Sequence, residues 1–169
     1  MGHGIHYSTN GDAAYIIKLN TTFSDGHTEH YAGTLGNFNL TAGSGTPRWK
    51  AIWTNTLDYG VASLSATTYY TDGYNLSAED QGGVAGDCGL NSGYQACDVK
   101  AFVSVDLTGS IKVNKQATFY VNVYNVADAH PPLDTATYSA GTNGAPYNSV
   151  VAESGIIGRA FRAGVRLDF

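Results

Sequence analysis

The chain has 169 residues, a formal net charge of −5 and only 14% charged residues. This length suits one domain, and the negative charge, with no cluster among the nine Lys and Arg, argues against a nucleic-acid partner. Although 43% of the residues are hydrophobic, they never form the run of about 18 apolar residues that a transmembrane helix needs. They alternate with polar residues instead, which is typical both of soluble β-proteins and of transmembrane barrels.

Six segments of the chain show a period of two in their side chains, which is the period of a β-strand. In each segment the charged residues fall on one face, and the other face carries none. Each segment is about nine to eleven residues long, the length that crosses a membrane at a tilt. The six predicted strands cover residues 15–23, 49–59, 62–70, 99–108, 117–124 and 161–169.

The connections between these segments alternate in length. Short turns are expected near Gly60 and over residues 109–114, and long polar connections over residues 24–48, 71–98 and 125–158. Outer-membrane barrels have short periplasmic turns and long outer loops in this alternating order. The pattern predicts an all-β, antiparallel up-and-down meander of about six strands over residues 1–169, the C-terminal part of a transmembrane β-barrel. A soluble sandwich could show the same alternation within single strands.

Two cysteines, Cys88 and Cys97, lie in a segment rich in Gly, Asn and Ser. Because no Cys-x-x-Cys spacing or nearby histidine accompanies them, they argue for a loop disulfide in an oxidising compartment rather than for zinc. Two free thiols are the alternative. No Gly-x-Ser-x-Gly nucleophile motif occurs, and we expect no catalytic residue, no metal site and no cofactor.

Three motifs resemble, in order and spacing, the C-terminal barrel of TonB-dependent outer-membrane receptors. They are TPRWK at residues 46–50, FYVNVYNVAD at 119–128 followed by Pro131 and Pro132, and GRAFRAGVRLDF at 158–169. The resemblance covers roughly residues 15 to 169. Members of this family have a TonB-contacting segment, an N-terminal plug domain and a 22-stranded barrel that the plug fills.

The resemblance implies a receptor in the outer membrane of a Gram-negative bacterium that imports a scarce nutrient, such as a ferric siderophore, a vitamin or an oligosaccharide, with energy relayed by TonB. The plug is absent and no signal peptide begins the chain, so we expect a fragment of a longer receptor. Its implied partners are outer-membrane lipid, the barrel-assembly machinery, an unidentified small molecule, and the TonB system through the missing N-terminal region. The alternatives are a passive porin-like or autotransporter barrel end, and a soluble β-sandwich that binds carbohydrate.

Three groups of residues are candidate functional sites. The C-terminal apolar positions resemble the signal read by the assembly machinery, although lipid alone would also demand an amphipathic strand. Tyrosines and arginines on the inner face could contact a passing ligand, or else pack against the plug and hydrate the interior. Tyrosines of the long connections could stack on a ligand or pack the loops together. The signal residues are Phe161, Ala163, Val165, Leu167 and Phe169, the inner-face residues Tyr69, Tyr120, Tyr124, Arg162 and Arg166, and the loop tyrosines Tyr74, Tyr94, Tyr138 and Tyr147.

Overall fold

The computed structural model describes residues 4–26, 28–34, 46–75, 98–133, 147 and 155–168. These residues form an open, six-stranded antiparallel sheet in the order β1-β4-β5-β8-β9-β10, together with two small two-stranded sheets. The predicted all-β antiparallel meander is therefore confirmed. In chain order the strands are β1 (Ile5–Tyr15), β2 (Asn20–Thr22), β3 (Thr28–His30), β4 (Trp49–Tyr59), β5 (Ala62–Thr71), β6 (Tyr74–Asn75), β7 (Asp98–Val99), β8 (Phe102–Lys112), β9 (Ala117–Tyr124) and β10 (Ala160–Leu167).

Two tight turns join the strands at one end of the sheet, which we call the lower end. Gly60 and Val61 alone connect β4 to β5, and Gly60 takes a φ of 59°, the left-handed conformation that two-residue hairpin turns require. Residues 113–116 connect β8 to β9, and the Gln116 N–H donates to the Asn114 side-chain oxygen at 2.8 Å. The first turn lies where the sequence predicts it, and the second begins at residue 113, four residues later than predicted.

The first long strand lies earlier in the chain than predicted. Alternation over residues 15–23 predicts a strand there, but β1 ends at Tyr15 and only the short β2 follows within that range. The physical reason is that β4 already has two full partners, β1 on one side and β5 on the other. After Tyr15 the chain leaves the sheet, and the last contact is the Ile16 N–H donating to the Arg48 carbonyl at 2.9 Å.

The strand predicted over residues 99–108 is also shifted. Val99 belongs to the short β7 and pairs with Tyr74, and β8 begins only at Phe102. At its other end β8 continues to Lys112, through residues that were predicted to form a turn. Gly109 stays in the sheet because both of its neighbours pair with it, Leu64 on β5 and Val121 on β9.

The buried residues of the described chain gather at the upper end of the sheet, where the long connections begin and end. Tyr31, Tyr74, Val99 and Phe102 are buried there, so Tyr74 packs the connections rather than facing a ligand from the surface. Tyr94 and Tyr138 lie outside the described residues, and Tyr147 is partly exposed. Within the described ranges, no helix is long and apolar enough to cross a membrane.

A compact turn at Asn125 organises the upper end of β9. Asn125 is fully buried and has a φ of 48°, a conformation that Asn adopts more readily than most residues. Its side-chain amide donates to the Ala129 carbonyl at 3.0 Å and accepts from the Ala129 N–H at 2.9 Å. Its backbone N–H donates to the Asp106 carboxylate on β8 at 2.8 Å. The turn thus ties β8 and β9 to the connection that follows.

Replacing Asn125 should destabilise the sheet in a graded way. Asn125→Ala loses two side-chain hydrogen bonds and places in the left-handed region a residue that adopts it less readily than Asn, at a cost of roughly 2–3 kcal/mol. Asn125→Gly keeps the backbone conformation and should cost about half as much. Guanidinium unfolding measures both, with Asn122→Ala on β9 as a near-neutral control. Equal effects of Asn125→Ala and Asn122→Ala would contradict the role of the turn.

Candidate functional site

The register of the sheet places one uncharged set of side chains on a single surface, the apolar face. In an antiparallel pair, directly opposed residues point to the same side of the sheet. A row of such pairs crosses all six long strands: Thr9, Asn55, Ala66, Leu107, Val123 and Phe161. The apolar face consists of alternate residues from Ile5 to Tyr15, Trp49 to Tyr59, Ala62 to Tyr70, Val103 to Ile111, Ala117 to Val123 and Phe161 to Leu167.

The apolar face is exposed along its middle. Four apolar side chains from four different strands are about half exposed to solvent. Their exposed fractions are 56% for Trp53, 45% for Val103, 49% for Val121 and 47% for Val165. None of the described strand residues on this face is charged. A contiguous apolar surface of this kind is unfavourable in water, where monomeric proteins keep exposed apolar patches small. It suits hydrocarbon, where its side chains carry no desolvation penalty.

Four polar side chains of β1 and β4 on the apolar face form hydrogen bonds with one another. The Trp53 indole N–H donates to the Thr9 hydroxyl at 2.6 Å, and the Thr9 hydroxyl donates to the Asn55 side-chain oxygen at 3.2 Å. The Tyr7 hydroxyl donates to the same Asn55 oxygen at 2.6 Å. Each such group would cost several kcal/mol if left unpaired in lipid. These bonds let β1 and β4 present Thr9 and Asn55 on an otherwise apolar surface.

At the upper end of the apolar face, Tyr15 and Trp49 face each other across β1 and β4. Their ring centroids lie 4.7 Å apart at an interplanar angle of 40°. Both side chains are exposed, at the boundary between the strands and the long connections. Amphipathic rings in this position are typical of the aromatic girdles of membrane barrels.

The intervening strand residues form the polar face. Its hydroxyls pair directly across β4 and β5, Thr54 with Thr67 at 3.0 Å and Thr56 with Ser65 at 2.8 Å. All of the charged residues within the long strands lie on this face, and so does the titratable His6. The charged residues are Asp12, Lys50, Asp58, Asp106, Lys112, Arg162 and Arg166. The polar face therefore suits water, although it also carries the exposed Ile52, and the two faces are separated by charge.

Four of the five predicted inner-face residues lie close together on the polar face. We call these four residues, Tyr69, Tyr120, Tyr124 and Arg162, the aromatic group. The Arg162 guanidinium is 6.0 Å from the centre of the Tyr120 ring, within cation–π range, and it also interacts with the Tyr124 hydroxyl. Tyr69 on β5 interacts electrostatically with Tyr124 and with Asp106. Arg166 lies apart from this group and pairs with the Asp168 carboxylate at 3.2 Å.

Two residues that contact the aromatic group were not predicted from the sequence. Asp106 stands between Tyr69 and the Asn125 turn, and Gly164 lies directly opposite Tyr120. A β-carbon on Gly164 would sit 2.6 Å from Cζ of Tyr120, so the ring lies across the bare backbone of β10. A glycine inside a strand often marks such a close approach, and this was the available signal.

The described residues of the predicted assembly signal lie on one face of one strand. Phe161, Ala163, Val165 and Leu167 lie on the apolar face of β10, an edge strand of the described sheet. Phe169 falls outside the described residues, as do both cysteines of the predicted disulfide, Cys88 and Cys97. Those assignments stay predictions.

Comparison of the chain with protein families, with curated proteins and with solved structures found no match. The likeness to TonB-dependent receptors therefore rests on the three motifs, and the fold rests on the sheet itself.

Adding one methyl group at Gly164 should disturb the aromatic group. Gly164→Ala must swing the Tyr120 ring away from β10 and should lower the free energy of unfolding by roughly 1 kcal/mol. Gly109→Ala is the matched control, because it also lies in a long strand but a β-carbon there meets no atom within 4 Å. Guanidinium unfolding in detergent measures both. If the two variants are equally stable, the Tyr120 ring does not lie over Gly164.

Proposed function

We propose that this chain is a wall segment of an outer-membrane β-barrel, part of a receptor that imports a scarce nutrient with energy relayed by TonB. The observation that supports a membrane barrel is the exposed, uncharged apolar face that runs across all six long strands. Hydrocarbon is the environment in which such a face is stable, and the polar face then borders a water-filled interior.

The ends of the sheet support an orientation in the membrane. The tight turns at residues 60–61 and 113–116 share the lower end, and the three long connections share the upper end. In outer-membrane barrels the short turns are periplasmic and the long loops face outward. The upper end, with its buried cluster around Tyr31 and Tyr74, would then face the medium from which a nutrient arrives.

The motifs that support the receptor also hold the upper end together. Pro47 of the first motif is buried beside the start of β4. Asp128 of the second motif accepts a hydrogen bond from the Arg159 N–H of the third at 2.8 Å, and Gly158 before it takes a φ of 74°. Residues 1 to 169 would thus contribute wall strands and outer loops to the receptor.

The proposed substrate is a small molecule such as a ferric siderophore, a vitamin or an oligosaccharide. Within the polar face, Tyr120, Tyr124 and Arg162 offer aromatic surface and positive charge. Such groups suit an aromatic or anionic solute passing along the wall. Uptake should stop when TonB is removed from the host, whereas a passive porin-like barrel would continue to conduct.

A charge on the apolar face should block membrane insertion, and the same charge one residue away should not. Leu107→Arg, at the middle of β8, places a guanidinium in lipid at a cost of roughly 2–4 kcal/mol. Thr108→Arg, on the polar face of the same strand, stands opposite the uncharged Ser65 and Asn122 and should be close to neutral. The inserted fraction in phospholipid vesicles and the free energy of unfolding there measure the difference.

Two results would contradict the membrane wall. The first is an equal effect of Leu107→Arg and Thr108→Arg on insertion. The second is a wild-type chain that remains a folded monomer in buffer without detergent, as expected for a soluble β-sandwich that binds carbohydrate.

The C-terminal residue should matter for assembly. Deleting Phe169 removes the terminal aromatic side chain of the predicted signal, so the amount of protein assembled in the outer membrane should fall several-fold. Asp168→Ala, one residue earlier and on the other face by alternation, is the control. Heat-modifiable mobility of outer-membrane fractions reports the assembled form. Unchanged assembly after the deletion would leave β10 as a lipid-facing strand without a signalling role.

A further inference from the structure

An apolar side chain interrupts the polar face near the upper end of the sheet. Ile52 lies on this face of β4, and its direct neighbours in the sheet are Asp12 on β1 and Tyr69 on β5. The Ile52 side chain is 48% exposed. A single exposed apolar side chain is common on protein surfaces, so the groups around Ile52 decide whether it marks a binding site.

Ile52 lines a cavity of about 370 Å³ between β1, β4 and β5, a volume within the range of small-molecule sites. The cavity lies on the polar face, because the large side chains of Trp49 and Trp53 on the apolar face do not line it. The lining side chains form two neighbouring rows of the polar face: Asp12, Ile52 and Tyr69 in one row, and Ala14, Lys50 and Thr71 in the row above. Residues 13, 51 and 70, between the two rows, complete the lining.

The polar face is covered beside this cavity, at β8. Phe102 and Ser104 belong to the polar face, but both are buried. A β-carbon on Gly155 would lie 2.7 Å from Cζ of Phe102, so the connection between β9 and β10 rests on the Phe102 ring. Asp12 and Lys50 are exposed. The upper end of the polar face is therefore closed at β8 and open at β1 and β4, where the cavity lies.

Two opposite charges stand beside Ile52 in the cavity. Asp12 is its direct neighbour on β1, and Lys50 lies two residues earlier on the same face of β4. Directly opposed residues have β-carbons about 5 Å apart, and diagonal neighbours lie about 7–8 Å apart. The three side chains thus form a triangle with one apolar, one acidic and one basic corner. Asp12 and Lys50 form no ion pair with each other in the described part of the chain, so the space between them is open to a ligand.

We propose that this cavity binds a solute with an amino-acid-like group, in which an amine and a carboxylate are attached beside an apolar or aromatic body. The amine donates to the Asp12 carboxylate, the Lys50 ammonium donates to the solute carboxylate, and the apolar body covers Ile52 beside the Tyr69 ring. Such a solute matches all three corners of the triangle at once. A simple anion would meet repulsion from Asp12, and a neutral sugar would leave both charges without a partner.

This inference rests on the proposed wall function, which opens the polar face to water. It narrows the imported nutrient to a small molecule that carries an amino-acid-like group. Asp12 and Lys50 lie within the last turn of the strands before the long connections. In the proposed orientation the cavity is therefore at the outer mouth of the barrel, where a nutrient arrives.

Three small probes test the chemistry of the cavity on the unmodified chain in detergent micelles. L-Phenylalanine carries both charges, 3-phenylpropionate lacks the amine, and phenethylamine lacks the carboxylate. Equilibrium dialysis, with protein-free micelles as the blank, measures the Kd of each probe. L-Phenylalanine should bind roughly tenfold more tightly than either of the others, because each of them loses one charge-assisted hydrogen bond.

Substitutions assign each contact to its residue. Lys50→Gln should weaken L-phenylalanine and 3-phenylpropionate about tenfold and leave phenethylamine unchanged, and Asp12→Asn should weaken L-phenylalanine and phenethylamine instead. Ile52→Thr, which stays β-branched, should weaken all three probes several-fold. Lys112→Gln and Asp58→Asn are the matched controls, because both lie on the polar face at the lower end of the sheet and should change no Kd.

The results separate this inference from the proposed function. Equal Kd values for the three probes, or no binding of L-phenylalanine at millimolar concentration, overturn the inference and leave the membrane wall standing, since vesicle insertion of Leu107→Arg and Thr108→Arg tests the wall independently. A wild-type chain that does not enter vesicles overturns the wall, whatever the probes do. The probe series needs no variant, so it decides the matter even where Lys50→Gln or Asp12→Asn fails to fold.

Discussion

The structure depends on the register between neighbouring strands. A strand carries its two kinds of side chain on alternate residues, so a slip of one residue would turn its charged side outward and its apolar side inward. The row from Thr9 to Phe161 shows that all six long strands are in phase. The separation of the apolar face from the polar face follows from this phase and from nothing else in the fold.

Burial within the described chain plays a smaller part. The buried side chains, such as Tyr31, Val99 and Phe102, lie at the upper end where connections fold against the strands. Between the strands themselves, the sheet is a single layer whose two faces meet different surroundings. Its cohesion comes from ladder hydrogen bonds, from hydroxyl pairs such as Thr54 with Thr67, and from the environment that covers the apolar face. A sheet of this design is stable where hydrocarbon meets one side and water the other.

Four strands could be predicted closely from the sequence, because bulky residues on the apolar face make their alternation clear. β4, β5, β9 and β10 are all found within two residues of their expected limits, because side chains such as Trp53 and Val121 make the alternation plain. β1 was missed because Thr9 and Gly11 occupy outward positions and weaken the pattern. Thr9 is acceptable there only through its bonds with Trp53 and Asn55, residues more than forty positions away.

Tyr69, Tyr120, Tyr124 and Arg162 were predicted to share one face, but their contacts with one another and with Gly164 were not, for a related reason. Alternation assigns Tyr120 and Arg162 to one face but does not say which residue of the next strand stands opposite. That choice fixes Gly164 under the Tyr120 ring, and it depends on the length of the connection between β9 and β10 and on the Asn125 turn. Local pattern therefore gives the composition of each face, and long-range pairing gives its sites.

The distribution of charge over the polar face bears on what can pair with its edges. Arg162 and Arg166 lie on the edge strand β10, whereas Asp12 lies on the opposite edge strand and Asp58 on its neighbour β4. The centre of the face, on β4 and β5, is largely neutral because its hydroxyls bond to one another. Any strand that continues the wall beyond β10 must therefore place acidic or polar groups beside the two arginines, since a basic residue at that position would be repelled.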